Sequence, residues 1–105
     1  MGKKLLSIII PCYNEEKTVE TIYVAITDTM DMLPQYDYEI LFVNDGSKDN
    51  TLNKLIGLSE MDVHVKYYSF SRNFGKEAAI YAGLNNARGD YVVIMDADMQ
   101  DPPAL

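Results

Sequence analysis

Three carboxylates follow one apolar run near the end of this 105-residue chain. The run "YVVIM" leads directly into Asp96, Ala97 and Asp98, and Asp101 follows shortly afterwards. On an extended segment, side chains two positions apart point to the same side, so Asp96 and Asp98 would lie together. Two carboxylates that close repel each other unless one is protonated or a cation lies between them. Oxygen ligands of this kind suit Mg²⁺ or Mn²⁺, and Gln100 can add a neutral carbonyl oxygen.

A simpler explanation of the same acids remains open, because acidic residues after a strand also cap the helix that follows. A magnesium or manganese site commonly includes substrate phosphates beside one or two carboxylates. Other polar segments should then lie close to the motif in the fold. The position of Asp96 and Asp98 at the carboxyl end of a strand, beside other polar loops, favours the metal site.

The elements that must position these acids are four strand-like runs separated by three helical patterns. The first, second and fourth runs are almost continuously apolar and β-branched, which is typical of strands covered on both faces. Asn14 can cap the first helix, and Pro34 ends it. The predicted strands span residues 5–10, 38–43, 63–70 and 91–96, and the predicted helices span residues 16–33, 50–60 and 75–87. This alternation predicts an α/β fold, a Rossmann-like doubly wound parallel sheet with strand order 3-2-1-4 and helices on both faces.

The carboxyl ends of the four predicted strands carry most of the polar chemistry of the chain. They read "PCYNEE", "NDGSKDN", "SRNFGKE" and "DADMQD", and ligands of open parallel sheets bind at this edge. Arg72 and Lys76 either form a solvated face or bind a pyrophosphate beside a helix N-terminus. Asp45, in the turn "DGS", either shapes that turn or accepts hydrogen bonds from a base or ribose.

Composition narrows the possible functions. The net charge is −7 and no basic cluster is present, so a nucleic-acid partner is not expected. The single cysteine, Cys12, excludes an intrachain disulfide, fits a reduced cytoplasmic setting, and is expected to be a small core residue. No apolar run approaches the ~18 residues of a membrane span.

Four segments, taken in order and spacing, resemble the amino-terminal half of a family-2 glycosyltransferase with the GT-A fold. They are "SIIIPCYNEEKTV", "VNDGSKDNT", "SRNFGKEAA" and "VVIMDADMQDPP". The resemblance covers essentially the whole chain and is strongest to the polyprenyl-phosphate branch, which includes dolichol-phosphate mannose synthase and the bactoprenol glucosyltransferases. It implies an inverting transfer of a sugar from a UDP- or GDP-linked donor to a polyprenyl phosphate, in cell-envelope synthesis. In that branch, the full-length protein would work at the cytoplasmic face of the membrane.

The same resemblance implies roles for individual residues. Pro11, Tyr13 and Glu15 would line the nucleotide pocket, with Asn14 beside them. Val43 and Asp45 would contact the base and ribose, and Ala97 would lie against the ribose. Arg72 and Lys76 would face the phosphates. Asp96 and Asp98 would bind Mg²⁺ or Mn²⁺, with Gln100 as a further ligand.

The resemblance also implies that the full-length protein is longer than this chain. GT-A glycosyltransferases continue well past this metal motif into an acceptor-binding half. We therefore expect residues 1–105 to be the truncated nucleotide-sugar-binding part, inactive alone and prone to self-association through the open edge of the fourth strand. Two rival functions stay open. One is a Mg²⁺-dependent aspartate phosphotransferase, although the haloacid type places its Asp-x-Asp early in the chain. The other is a non-catalytic nucleotide-binding module.

Overall fold

The computed structural model describes residues 2–97. Within that range the chain alternates strand and helix as predicted, and each strand pairs with its neighbours in parallel. The sheet has the order β3-β2-β1-β4, which confirms the predicted topology. The elements are β1 (Lys4–Cys12), α1 (Val19–Asp31), β2 (Tyr36–Asn44), α2 (Thr51–Met61), β3 (Val65–Ser69), α3 (Lys76–Asn86) and β4 (Tyr91–Ile94).

One face of the sheet packs against α1 and α2 and forms the main core. Alternate residues of the two central strands point to this face, because successive strand side chains point to opposite sides. Val19, Ile22, Ile26 and Met30 are the buried stripe of α1, at the spacing of one helix face. The strand and helix side chains that pack together include Ile8, Ile10, Ile40, Phe42, Val19, Ile22, Ile26 and Leu55. Burying each of the large ones contributes roughly 1.5–3 kcal/mol.

The opposite face is covered by α3, which lies unusually close to β1. A Cβ atom built on Gly83 would lie 2.5 Å from Cγ2 of Ile9, so only glycine fits at this contact. Ala79, one turn earlier, is fully buried. The small residues of this helix therefore allow close approach to the sheet, and helices cover both faces as predicted.

A buried carboxylate, that of Glu39, fastens the loop between α3 and β4 to the sheet. Its oxygens accept hydrogen bonds from Ser7 Oγ at 2.6 Å, from the Arg88 amide at 2.8 Å and from Lys66 Nζ at 3.1 Å. The Gly89 amide in turn donates to Ser7 Oγ at 2.8 Å. Burial alone would raise the pKa of Glu39, but the hydrogen bonds from Ser7, Arg88 and Lys66 outweigh it, so the pKa lies below its ordinary value.

The start of α1 differs from the prediction. The helix begins at Val19 with Thr18 as its N-cap residue, so Asn14 does not cap it. Asn14 instead has a left-handed backbone with a φ of 54°, a conformation that asparagine tolerates better than most residues. Its side-chain oxygen accepts a hydrogen bond from the Lys48 amide at 2.8 Å, and its own amide donates to Ser47 Oγ at 2.9 Å. Asn14 therefore joins the loop after β1 to the loop after β2.

Strand β4 is an open edge with exposed apolar side chains. All four residues of Tyr91–Ile94 are exposed; Val92, for example, keeps 42% of its surface accessible. An apolar groove beside it is lined by side chains that include Leu6, Ile26, Met30 and Met95. The exposed edge agrees with the expectation behind self-association, which itself stays a prediction. Within residues 2–97, no helix combines the length and apolar character that crossing a lipid bilayer requires.

Candidate functional site

A cavity of about 380 Å³, with several charged residues in its lining, lies at the carboxyl ends of the strands. The ends of β1 and β4 both reach it, and the order of strands along the chain reverses between these two neighbours. Ligands of doubly wound folds bind at such a switch point. The structure brings seven of the predicted residues to its walls, namely Pro11, Tyr13, Glu15, Asp45, Lys76, Asp96 and Ala97.

Three other predicted residues do not line the cavity. Val43 is fully buried and belongs to the face of the sheet that α3 covers, because it alternates with the core residue Phe42. Arg72 places its guanidinium 4.5 Å from the centre of the Phe74 ring, in a cation–π contact, and is not among the residues that line the cavity. Asn14 makes the loop-to-loop contacts given above. Asp98 and Gln100 lie outside the described residues.

Asp45 organises the turn that precedes α3. Its side chain is almost fully buried, and one carboxylate oxygen accepts a hydrogen bond from the Phe74 amide at 2.7 Å. The other oxygen accepts hydrogen bonds from the Gly75 amide and from Asn73 Nδ2, each at 3.0 Å. Gly75 has a φ of 106°, which favours glycine, so the backbone can turn both amides toward the carboxylate. The carboxylate thus fixes the residues immediately before Lys76.

Gly46 lets this turn pack directly on the loop after β2. It has a φ of 70°, and an added Cβ would lie 2.2 Å from the Arg72 carbonyl carbon and 2.4 Å from the Asn73 nitrogen. Backbone therefore packs on backbone at this position. The "DGS" turn has a structural role here, since Asp45 and Gly46 both hold the segment between β3 and α3.

The loops after β1 and β2 are joined by a second group of contacts. The Glu15 amide donates to Thr51 Oγ1 at 2.9 Å, and the Glu16 amide donates to Asp49 Oδ2 at 3.3 Å. Burial would raise the pKa of Asp49, but hydrogen bonds from the Thr51 hydroxyl and amide and from the Glu16 amide outweigh it and lower that pKa. These bonds hold the backbone of Glu15 and Glu16 at the place where the Glu15 side chain lines the cavity.

Opposite charges meet at the mouth of the cavity. Lys76 Nζ forms an ion pair with Asp96 Oδ1, and each side chain is about half exposed. The ammonium lies beside the N-terminus of α3, where the helix dipole favours an anion. The same place therefore offers one group that can attract a phosphate and one that can attract a cation.

The donor chemistry of this edge fits a divalent metal ion. Asp96 offers a carboxylate at the mouth of the cavity, and Glu15 and Asp45 line its wall. The Asp96 carboxylate already has a cationic partner in the fold, the Lys76 ammonium. Among residues 2–97, no group of three or more histidine, cysteine or acidic side chains is close enough to hold a metal without further ligands. The predicted partners Asp98 and Gln100 would have to complete the coordination.

Cys12 lines the cavity without being a nucleophile. It is buried, and burial together with the nearby charge of Glu15 raises the pKa of its thiol far above the ordinary value. A thiol held protonated is a poor nucleophile. The expectation of a small core residue is confirmed.

The strand order and the cavity at its switch point define a doubly wound α/β domain whose site combines acidic and basic groups. The profile of the family described as "Glycosyl transferase family 2" matches residues 7–105, and the chain belongs to that family. It is 50% identical over 105 residues to the putative glycosyltransferase CsbB of Bacillus subtilis, covering all of this chain and 32% of that protein. It is 43% identical over 97 residues to the bactoprenol glucosyl transferase of Shigella phage SfV, covering 92% of this chain and 31% of that protein.

Solved structures support the same fold. The mannosyltransferase PcManGT from Pyrobaculum calidifontis, solved with GDP-Man and Mn²⁺, superposes with a TM-score of 0.79 at 25% identity, covering 92% of this chain and 28% of that one. Staphylococcus aureus TarS 1–349, solved with UDP, gives a TM-score of 0.73 at 23% identity over 89% of this chain and 27% of that one. These likenesses confirm the GT-A fold. The chain spans about a third of the length of the curated relatives it matches.

Proposed function

We propose that this chain supplies the donor-binding part of a glycosyltransferase that moves a sugar from a UDP- or GDP-linked donor to a polyprenyl phosphate. The observation that carries the proposal is the Lys76–Asp96 pair at the mouth of a switch-point cavity. A nucleoside diphosphate with its divalent cation needs both kinds of charge at one place. Relatives named for bactoprenol glucosyl transfer, and neighbours solved with GDP-Man and Mn²⁺ or with UDP, support this assignment.

Different residues of the proposed site have different parts. Pro11, Tyr13 and Glu15 form the wall against which the nucleoside lies. Lys76 stabilises the negative charge that grows on the departing diphosphate, together with the amides at the start of α3. A divalent ion, when bound, would add Lewis-acid stabilisation of the same charge, with Asp96, Asp98 and Gln100 as its ligands. A phosphate acceptor is already ionised, so no general base is required for its attack.

The proposed acceptor places the reaction at a membrane surface. A polyprenyl phosphate is held in a bilayer by its hydrocarbon chain, while nucleotide sugars are water-soluble. We therefore assign the reaction of the full-length protein to the cytoplasmic face of the membrane, with the nucleotide part facing water. The 105-residue chain alone should show no sugar transfer to a lipid phosphate, and measurable turnover would contradict the proposed division of labour.

Nucleotide binding tests the donor site directly. We would titrate the chain with UDP and GDP in Mn²⁺ and in EDTA, using calorimetry, and repeat this with Asp98→Ala. The metal-dependent part of the affinity should be at least about tenfold, or 1.4 kcal/mol, and should be lost in the variant. Asp28→Ala, an exposed acid on α1 away from the cavity, is the matched control and should bind like the wild type.

The outcomes separate the competing functions. Binding that EDTA leaves unchanged, or an Asp98→Ala chain that no longer folds, would contradict a metal site at the strand end. Covalent labelling of the chain by a phosphodonor would support the aspartate phosphotransferase instead. Metal-dependent binding of UDP or GDP without such labelling supports the glycosyltransferase.

A further inference from the structure

Thr18 occupies the N-cap position of α1, but its hydroxyl does not cap that helix. Threonine at this position ordinarily accepts a hydrogen bond from an amide of the first turn. Here Oγ1 lies 2.7 Å from the carbonyl oxygen of Ala97, 79 positions further along the chain. It also lies 3.1 Å from Glu15 Oε2 and 3.3 Å from the Glu15 carbonyl oxygen. The side chain is therefore directed toward the cavity edge.

The direction of the hydrogen bond follows from the atoms involved. All three neighbouring oxygens are acceptors, and a hydroxyl has one proton to donate. The contact with Ala97 is the shortest and falls at the usual distance for an O–H···O bond. The hydroxyl thus donates chiefly to the Ala97 carbonyl, with Glu15 as the competing acceptor.

Ala97 needs such a tether because the sheet no longer holds this segment. Regular pairing of β4 with β1 ends at Ile94, and the Met95 amide still donates to the Ile9 carbonyl at 2.9 Å. Ala97 lies beyond that bond, between Asp96 and Asp98, and is buried. Its carbonyl is bound by a side chain from the beginning of α1.

We propose that Thr18 is a positioning residue for Asp96, the described acid of the predicted metal motif. Its hydroxyl holds the Ala97 carbonyl and so fixes the backbone that directly follows Asp96. This inference rests on the proposed function, because the cation that Asp96 would bind belongs to it. Thr18 itself is not among the residues that line the cavity.

Three variants test this role. Thr18→Val keeps the shape of the side chain and removes the hydroxyl, while Thr18→Ser keeps the hydroxyl and removes the methyl group. Thr29→Val is the matched control, because Thr29 donates to the Ala25 carbonyl within the same helix at 2.9 Å. The readout is the Mn²⁺ concentration that gives half-maximal binding of UDP or GDP, compared with nucleotide binding in EDTA.

We expect Thr18→Val to raise the Mn²⁺ midpoint roughly tenfold, the size typical for loss of an outer contact to a metal site. Binding in EDTA should not change, and Thr18→Ser and Thr29→Val should keep the wild-type midpoint. A purely structural role would shift both conditions together. A Thr18→Val chain with the wild-type Mn²⁺ midpoint would overturn the inference and leave the proposed function standing. A wild-type chain without Mn²⁺-dependent nucleotide binding would overturn both.

A measurement on the wild-type chain covers the case in which Thr18→Val does not fold. The Thr18 hydroxyl proton should exchange slowly enough with water to be observed by NMR, with a nuclear Overhauser contact to residue 97. A hydroxyl proton in fast exchange, without that contact, would also overturn the inference.

Discussion

Replacing Asp45 by asparagine is the sharpest single test of how the site is assembled. The change keeps the size of the side chain and removes its charge. In the folded chain the two carboxylate oxygens accept three hydrogen bonds, from the amides of Phe74 and Gly75 and from Asn73 Nδ2. An asparagine has one acceptor oxygen, and its NH₂ group must face at least one of these donors.

The expected cost follows from that mismatch. In its better orientation the amide oxygen still accepts from Gly75 and Asn73, and the Phe74 amide then meets another donor. A buried donor without an acceptor costs about 1–3 kcal/mol, and hydrogen bonds to a charged acceptor are stronger than those that replace them. We expect Asp45→Asn to lower the free energy of unfolding by about 2–3 kcal/mol. For a domain of this size that lowers Tm by roughly 10 °C.

Urea denaturation and amide exchange together measure the effect. The midpoint should fall with an unchanged m-value, because the variant alters stability and not compactness. The amides of Phe74 and Gly75 should exchange faster than in the wild type by a larger factor than the amides of β2. Asp28→Asn, at an exposed position of α1, serves as the control and should stay within about 0.5 kcal/mol of the wild type. An Asp45→Asn chain as stable as the control, with both amides still protected, would refute this account of the turn.

Other sites give further tests. The fold lowers the pKa of Glu39 from its ordinary value of 4.5. The carboxylate therefore stabilises the fold fully above pH 4.5, and this contribution is lost as the pH falls through the lower, folded-state pKa. When the free energy of unfolding is measured against pH, Glu39→Gln should lose less stability in acid than the wild type. Gly46→Ala should lower the free energy of unfolding by about 3 kcal/mol or more, because the added methyl group meets backbone strain and the Arg72 backbone. Gly57→Ala lies in α2 with open space around it and should raise the free energy of unfolding by up to about 1 kcal/mol. Urea denaturation measures both. Sedimentation at micromolar concentration should show dimers or larger species of the wild type. Val92→Lys should reduce their amount, because a charged lysine on an exposed edge strand disfavours pairing with another chain. A strictly monomeric wild type would contradict the role of that edge.

The sheet could be predicted from sequence because its signals are local. Apolar β-branched runs and one-faced helical spacing gave the elements, and alternation of strands and helices gave the parallel order. The same periodicity predicts on which face of the sheet Val43 lies. It alternates with Phe42 along β2, so the two residues must lie on opposite faces, and Val43 is buried there under α3.

The contacts that assemble the site could not be predicted in the same way. Thr18 meets Ala97, and Asn14 meets Ser47, across 79 and 33 positions of the chain. Which partner a short polar side chain selects depends on backbone angles such as the left-handed φ of Asn14. Asn73 reached the cavity wall without any sequence signal beyond its place in a polar loop, since its role follows from the position of Asp45.

The Ser7–Glu39 hydrogen bond has a consequence for how β1 finds its partner. The sequence "LLSIII" is so uniform that sliding it by two residues along β2 would keep every side chain on its proper face. Such a slip would place Leu5 or Ile9 opposite Glu39 in the position that Ser7 occupies. The carboxylate would then be buried against a hydrocarbon side chain and lose one of its donors, at a cost of about 1.5–3 kcal/mol. The single serine in this repetitive strand thus favours one register of β1 against β2 over the registers shifted by two residues. Because its hydroxyl also accepts a hydrogen bond from the Gly89 amide, it fixes the place where β4 begins.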